Sequence, residues 1–212
     1  MPAATLELYH YWRSSSSWRV RWALALKDVN YKSHPINLLK QEQSDPAYLK
    51  LNPAAQVPCL VISDNTLSES MAMIEWLEET YPEPALLPKD LWRRAEIRSL
   101  SGMIYSGIQP LGNLKVTGHY STDAEKKAAW GRHFTEEGLL PVETMLRKYS
   151  GKWCFGDELT MADLFLVPQI YNAHRVSVDM KRFPLAQEIY ERALKTKACD
   201  EAAPHNQPGA IV

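Results

Sequence analysis

The first part of the chain switches repeatedly between strand-like and helix-like spacing of hydrophobic side chains. Residues 5–11 place Leu6 and Leu8 on one face, which predicts a β-strand. After a run of serines, residues 18–27 carry hydrophobic side chains at helical spacing. The alternation continues as strand, helix, two strands about a tight turn, and helix, over residues 31–37, 44–52, 59–62, 66–67 and 70–81. The order β-α-β-α-β-β-α predicts a compact sheet with helices.

Helical spacing prevails in the rest of the chain. Pro82, Pro84 and Pro88 bracket a linker, after which Asp90 is predicted to cap a long helix. Later helix starts are marked by capping side chains or by proline, at Thr122, Thr160 and Pro184. This second region is therefore predicted to be all-helical.

The proline-rich segment, residues 82–88, divides the chain into two predicted domains. An α/β domain occupies residues 1–83, a linker residues 84–89 and an all-helical domain residues 90–212. Residues after Cys199 are small, polar and proline-containing, which predicts a loose tail.

Composition and charge narrow the classes of partner. With 24 basic and 25 acidic residues among 212, the chain has no positive excess to attract nucleic acid or an anionic membrane. No stretch approaches the ~20 uncharged apolar residues of a membrane span, and no secretory leader is recognisable. The three cysteines are far apart and the six histidines show no ligand spacing. These features predict a cytoplasmic protein without a disulfide framework or a metal.

A serine run stands where the first predicted strand leads into the first helix. Unpaired N–H groups and the helix dipole favour an anion at such a place, and hydroxyl groups there are suited to hold a thiolate. The alternative is that the serines only cap the helix. No histidine, lysine or glycine-rich loop accompanies them, so a serine nucleophile or a phosphate cradle is not favoured.

Two further features each allow a functional and a structural interpretation. The Val57-Pro58 bond, if cis, would turn the Val57 backbone outward as an edge for an extended peptide; otherwise Pro58 is an ordinary trans proline opening a strand. Glu69 and Ser70 place a carboxylate and a hydroxyl at another helix start, suited to the ammonium and carboxylate of an amino acid, or simply to a helix cap formed by Ser70. Each of these features suits one part of a small peptide thiol.

Together they resemble the zeta class of the cytosolic glutathione transferases. Residues 14–21 match the class motif Ser-Ser-Cys-Ser-x-Arg-Val-Arg at all but one position. Similar segments extend the resemblance to about Pro184, over residues 23–27, 35–38, 51–53, 56–58, 74–79, 86–88, 108–111, 113–114, 156–164 and 166–169. The serine motif and Gln109-Pro110-Leu111 are specific to this class.

The resemblance implies an α/β plus all-α fold, the glutathione transferase fold. Its N-terminal domain is thioredoxin-like and binds glutathione, and its helical C-terminal domain shapes the acceptor pocket. Ser14 is implied to hold the glutathione sulfur as a thiolate, with Ser15 as a second catalytic candidate. The remaining residues of this turn are implied to line the cofactor site: Ser16, Ser17, Trp18 and Arg19.

Further site residues are implied by their positions in the class pattern. The Val57 backbone pairs with the cysteinyl unit, Glu69 and Ser70 hold the γ-glutamyl unit, and Gln43 reaches the glycyl end. Arg175 matches a pocket arginine suited to a substrate carboxylate. The helical-domain segment that closes over the cofactor in this class contains Gln109, Asn113, Leu114 and Lys115.

The sequence departs from the class pattern at two of these positions. Ser16 stands where the class usually has cysteine, which removes a thiol from the pocket and bears on rate and substrate preference. Glu69 stands where glutamine is frequent, and a carboxylate still pairs with an ammonium.

The activity implied is glutathione-dependent cis–trans isomerisation of maleylacetoacetate, or a close maleyl diacid, to the fumaryl isomer. Two alternatives remain open at this stage. One is a transferase acting on α-haloacids or other electrophiles, and the other is a non-catalytic transferase-like module that docks partners. The resemblance also implies a homodimer.

Overall fold

A computed structural model of the chain describes residues 5–210. Two compact units are present in that part of the chain. One comprises the chain up to Pro84 together with the chain from Thr196 onward, and the other is Ala85–Lys195. Between residues 5 and 210, no helix is long and apolar enough to cross a membrane.

The first unit contains a mixed four-stranded sheet. Its strands lie in the order β2-β1-β3-β4, with β1 parallel to β2 and antiparallel to β3, and β3 antiparallel to β4. Leu8 of β1 pairs with Leu60 of β3, and both are fully buried. The strand bounds are β1 Leu6–His10, β2 Lys32–Pro35, β3 Cys59–Ile62 and β4 Asn65–Leu67.

Three helices accompany this sheet, in the predicted order: α1 Ser15–Leu26, α2 Pro46–Leu49 and α3 Ser70–Thr80. The first helix begins three residues earlier than predicted, because Ser14 caps it and the following serines form its first turn. It is buried over most of its length and packs against α3, where Met73, Ile74 and Leu77 are fully buried. The apolar side chains buried around α1 therefore form the core of this unit.

The second unit is helical, as predicted. Its helices are α4 Leu91–Gly102, α5 Leu114–Tyr120, α6 Ala124–Tyr149, α7 Met161–Arg175 and α8 Pro184–Ala193. A π-helical turn, Met103–Ile108, and a 3₁₀ turn, Gln109–Gly112, continue from α4. Neither these turns nor α5 was predicted from the sequence, since each is too short to establish a period.

The helix caps of this unit are mostly those predicted. Asp90 accepts a hydrogen bond from Arg93 N at 2.7 Å, and Thr160 and Asp163 form a reciprocal capping box. The prediction for α6 was wrong by one position: Asp123, not Thr122, caps it by accepting from Lys126 N at 3.0 Å.

The C-terminal segment differs most from the prediction. The predicted loose tail instead forms α9, Lys197–Ala202, which packs against α1. Arg21 of α1 donates from Nε to the Ala202 carbonyl oxygen at 2.9 Å, and Cys199 is fully buried. The segment assigned from sequence to residues 90–212 thus ends in a helix that belongs to the first unit. There the Ala202 carbonyl oxygen joins those of Tyr11 and Trp12 as an acceptor for the buried Arg21 guanidinium, which needs such partners away from water.

His10 lies beside Arg21 in the interior of the first unit. Arg21 Nη1 is 3.2 Å from His10 Nδ1, and burial together with the guanidinium lowers the pKa of His10 to about 3. Because the imidazole stays neutral in the folded protein while it titrates near 6.5 in the unfolded chain, stability is lost as the pH falls from 6.5 toward 3.

We expect this one residue to lower the free energy of unfolding by about 2 kcal/mol between pH 7 and pH 5. Urea unfolding of wild type and His10→Gln at both pH values measures it, since glutamine does not titrate. An equal pH dependence in the two proteins would rule out His10 as the source.

Candidate active site

Ser14 lies at the junction between β1 and α1, half-buried, at the N-cap position. Its Oγ accepts a hydrogen bond from Ser17 N at 3.2 Å. The capping interpretation of this serine is therefore confirmed. Capping uses a lone pair of the oxygen and leaves the hydroxyl proton free to be donated, so it does not exclude a second role.

The next two residues form the first turn of α1. Ser15 and Ser16 are buried in the first turn of α1. Within residues 5–210, neither of their backbone N–H groups donates to an acceptor. Two amide donors without an acceptor and the Ser14 hydroxyl therefore lie at the N-terminus of α1, the positive end of its dipole.

Ser17, Trp18 and Arg19 continue α1 into the interior. Ser17 Oγ accepts from Tyr11 N at 3.4 Å, and Trp18 is 1% exposed. Arg19 is fully buried, and burial lowers its pKa to about 9, so the guanidinium is still charged at neutral pH. Its Nη1 donates to Ser70 Oγ at 3.4 Å. Arg19 thereby links the start of α1 to the start of α3.

The start of α3 carries an unusual backbone conformation. Glu69 is exposed and has φ 67°, a left-handed value that costs a residue with a side chain about 1 kcal/mol or more. It occupies the N-cap position without a side-chain capping bond, so the predicted cap by Ser70 is wrong; Ser70 is the first helical residue. Strain of this kind is typical of a residue held for ligand binding.

Val57 precedes β3, and the Val57–Pro58 bond is cis, so the alternative of an ordinary trans proline is wrong. Val57 is half-buried. Among the hydrogen bonds of residues 5–210, none uses its backbone N–H or carbonyl group. Both peptide groups are therefore available to an extended ligand.

Gln43 lies in a 3₁₀ turn, Glu42–Ser44, before α2. Its Nε2 donates to Gln41 Oε1 at 3.2 Å, and its own Oε1 is buried without a partner in the described part of the chain. No hydrogen bond joins Gln43 to the serine turn or to α3 within residues 5–210.

The other predicted site residues belong to the second unit. Gln109 Nε2 donates to Asn113 Oδ1 at 2.8 Å, which brings these two together at the start of α5. Leu114 and Lys115 form the first turn of that helix. Arg175 is the last residue of α7, is exposed, and donates from Nη1 to Asn172 Oδ1 at 3.4 Å.

Two buried residues near Val57 were missed by the sequence analysis. Tyr48 Oη and Asn52 Nδ2 both donate to the Gln56 carbonyl oxygen, at 2.5 and 2.8 Å. Such contacts to backbone leave no periodic pattern in a sequence. Asn52-Pro53 indicated only the end of a helix, and the similarity of residues 51–53 to the family assigned no role to Asn52.

Comparison with known proteins shows the family to which this chain belongs. Residues 4–79 match the family described as Glutathione S-transferase, N-terminal domain, which confirms the thioredoxin-like prediction. Maleylacetoacetate isomerase of Dictyostelium discoideum is 45% identical over 208 residues, which cover 96% of this chain and 95% of that protein.

Solved structures are also similar to this chain over its whole length. Maleylacetoacetate isomerase of Anaeromyxobacter dehalogenans 2CP-1, with bound GSH in the active site, has a TM-score of 0.91 at 42% identity and covers 100% of both chains. A second structure of that protein, with bound dicarboxyethyl glutathione and citrate, has the same TM-score at 41% identity and 100% coverage of both chains.

The holo structure of a maleylpyruvate isomerase, described as a bacterial glutathione S-transferase of the zeta class, has a TM-score of 0.94 at 36% identity, covering 97% of this chain and 100% of that one. With identity above two fifths to the Dictyostelium isomerase over nearly its whole length, this chain belongs to the maleylacetoacetate isomerase family, the zeta class of the glutathione transferases.

Proposed function

We propose that this chain catalyses the glutathione-dependent cis–trans isomerisation of maleylacetoacetate, or of a close maleyl diacid, to its fumaryl isomer. The observation that carries the proposal is the Ser14 hydroxyl beside two unused amide donors at the start of α1, in a chain of this family. Bound glutathione supplies a sulfur nucleophile that adds reversibly to the cis double bond of the diacid and leaves once rotation has produced the trans isomer.

The Ser14 hydroxyl stabilises the thiolate form of that sulfur. A free thiol has a pKa of about 8.5. Lowering this pKa by one unit corresponds to about 1.4 kcal/mol of stabilisation of the thiolate relative to the thiol. A hydroxyl hydrogen bond to a charged sulfur and the dipole of α1 together supply roughly that amount or somewhat more. Ser15 contributes the neighbouring backbone N–H.

The remaining groups of the first unit fit the rest of glutathione. Glu69 is exposed and suited to pair with the γ-glutamyl ammonium, while Ser70 and the first N–H groups of α3 suit its carboxylate. Arg19 holds Ser70 in place. The unused peptide groups of Val57 suit the cysteinyl unit, and Gln43 is assigned to the glycyl end.

Two further assignments concern the second unit. Arg175 ends α7, and a guanidinium matches the planar geometry of a carboxylate, so we assign it to a carboxylate of the substrate. We assign the closing segment of the site to the residues around the Gln109–Asn113 hydrogen bond, including Leu114 and Lys115.

The chemistry of one related structure favours isomerisation of a diacid. Dicarboxyethyl glutathione, bound in the Anaeromyxobacter enzyme, is what results when a thiol adds across the double bond of a four-carbon unsaturated diacid. The similarity to a maleylpyruvate isomerase keeps maleylpyruvate as the second candidate substrate.

A spectrophotometric assay with maleylacetoacetate and maleylpyruvate, with and without glutathione, tests this function. Isomerisation that requires glutathione without consuming it is the expected result. Stoichiometric loss of glutathione with a haloacid, and no isomerisation, would instead indicate a transferase. Failure to bind glutathione in calorimetry would indicate a docking module.

Homodimer formation and a cytoplasmic location complete the proposal. Leu91 and Trp92 at the start of α4 are 80% and 74% exposed, an apolar pair that suits burial against a second copy of the chain. The three cysteines are buried free thiols, which accords with a reducing compartment. Sedimentation equilibrium of the wild type and of Trp92→Ser measures the oligomeric state.

A further inference from the structure

We infer that Tyr48 and Asn52 are positioning residues that aim the Val57 N–H at the cysteinyl carbonyl of glutathione. The inference rests on the proposed function, since it concerns the same glutathione site. It assigns a role to two side chains that do not bind glutathione themselves. They act on it through the Gln56–Val57 peptide group, whose carbonyl oxygen they bind.

Both side chains bind one oxygen atom. Tyr48 Oη lies 2.5 Å and Asn52 Nδ2 2.8 Å from the Gln56 carbonyl oxygen. Tyr48 is 4% and Asn52 2% exposed, whereas Gln56 itself is exposed. A carbonyl oxygen has two lone pairs, so two buried donors occupy its full capacity.

Asn52 also organises the loop that leads to Gln56. Its Oδ1 accepts from Ala54 N at 3.1 Å, and its own carbonyl accepts from Ala55 N at 3.1 Å. The amide side chain therefore faces the loop with both its oxygen and its nitrogen in use. Burial raises the pKa of Tyr48, so its hydroxyl remains a donor at any physiological pH.

The planarity of the peptide carries this anchoring to Val57. The cis bonds within residues 5–210 are Val57–Pro58 and Glu83–Pro84, so the Gln56–Val57 peptide is trans. In a planar trans peptide, the carbonyl group and the N–H of the next residue point in opposite directions. Holding the Gln56 oxygen on the buried side fixes the Val57 N–H on the other side.

Loss of one donor should allow the Gln56–Val57 peptide plane to rotate. The fraction of molecules whose Val57 N–H points toward the cysteinyl carbonyl should then fall. Apparent affinity falls with that fraction. We expect Tyr48→Phe to raise the Kd for glutathione about 5-fold, the scale of one hydrogen bond, with kcat at saturating glutathione within about 2-fold of wild type.

The test compares glutathione with γ-glutamylcysteamine, which keeps the γ-glutamyl unit and the thiol but lacks the cysteinyl carbonyl and the glycine attached to it. Calorimetry on wild type, Tyr48→Phe and Asn52→Asp should show weaker binding of glutathione by both variants and unchanged binding of γ-glutamylcysteamine. Tyr9→Phe is the matched control, because the Tyr9 ring lies 6.0 Å from that of Tyr48 without a bond to Gln56.

Each outcome has a distinct meaning. Equal losses for both ligands would show a merely structural role, and unchanged glutathione binding in both variants would show that the anchor is unnecessary; either overturns the inference. Wild-type protein that binds neither ligand would overturn the proposed function itself. Thermal melts of all four proteins establish that the variants are folded.

Discussion

Alanine at position 14 is expected to lower kcat by about 10²- to 10³-fold, the scale on which a single donor to a developing or fixed negative charge acts. The affinity for glutathione should change little, because we assign the γ-glutamyl groups to other residues, Glu69 and Ser70. Without the Ser14 hydroxyl the bound thiol is protonated more readily, so the pH at which activity rises should move upward.

Ultraviolet titration of the thiolate in the glutathione complex, beside kcat measured from pH 5 to 9, tests this expectation. Ser14→Thr keeps the hydroxyl and should restore most of the activity. Asp123→Ala removes the cap of α6 instead and controls for the loss of a helix cap alone. If Ser14→Ala turned over as fast as wild type at neutral pH, the assignment of this hydroxyl would be refuted.

Replacement of Asp163 by alanine should cost about 3 kcal/mol of unfolding free energy, the largest effect we expect on stability from one side chain. The Asp163 carboxylate is fully buried and accepts from Thr160 N at 2.8 Å and from Cys154 N at 2.9 Å. Alanine leaves both donors buried without a partner and removes the N-cap interaction of α7, the helix most completely buried in the second unit.

Urea unfolding followed by tryptophan fluorescence measures the loss. Asp163→Asn keeps one oxygen acceptor and should fall between wild type and alanine. Asp123→Ala, at an exposed cap, should cost about 1 kcal/mol or less. A difference of less than about 1 kcal/mol between wild type and Asp163→Ala would contradict the role assigned to this carboxylate.

Capping and catalysis are compatible at Ser14. The oxygen accepts from Ser17 N as in any N-cap, and the same bond holds the hydroxyl at the positive end of α1. The two interpretations of the serine run from sequence therefore describe one geometry.

Much of this protein was determined by sequence patterns that act locally. Alternation over residues 6–8 predicted β1, and helical spacing predicted the long helices. The Thr160–Asp163 box joins residues three apart, so the sequence contained all of its parts. The serine run supplied the motif by which the family was predicted and then confirmed.

Tertiary structure alone decided the features that join residues far apart. The bond from Arg21 to Ala202 spans 181 positions and fixes a tail that composition had predicted to be loose. The contact between Arg19 and Ser70 spans 51 positions and joins two helix starts. Neither hydrogen bond could be predicted from hydrophobic periodicity. A buried arginine needs acceptors, but only the folded chain determines which distant residues supply them.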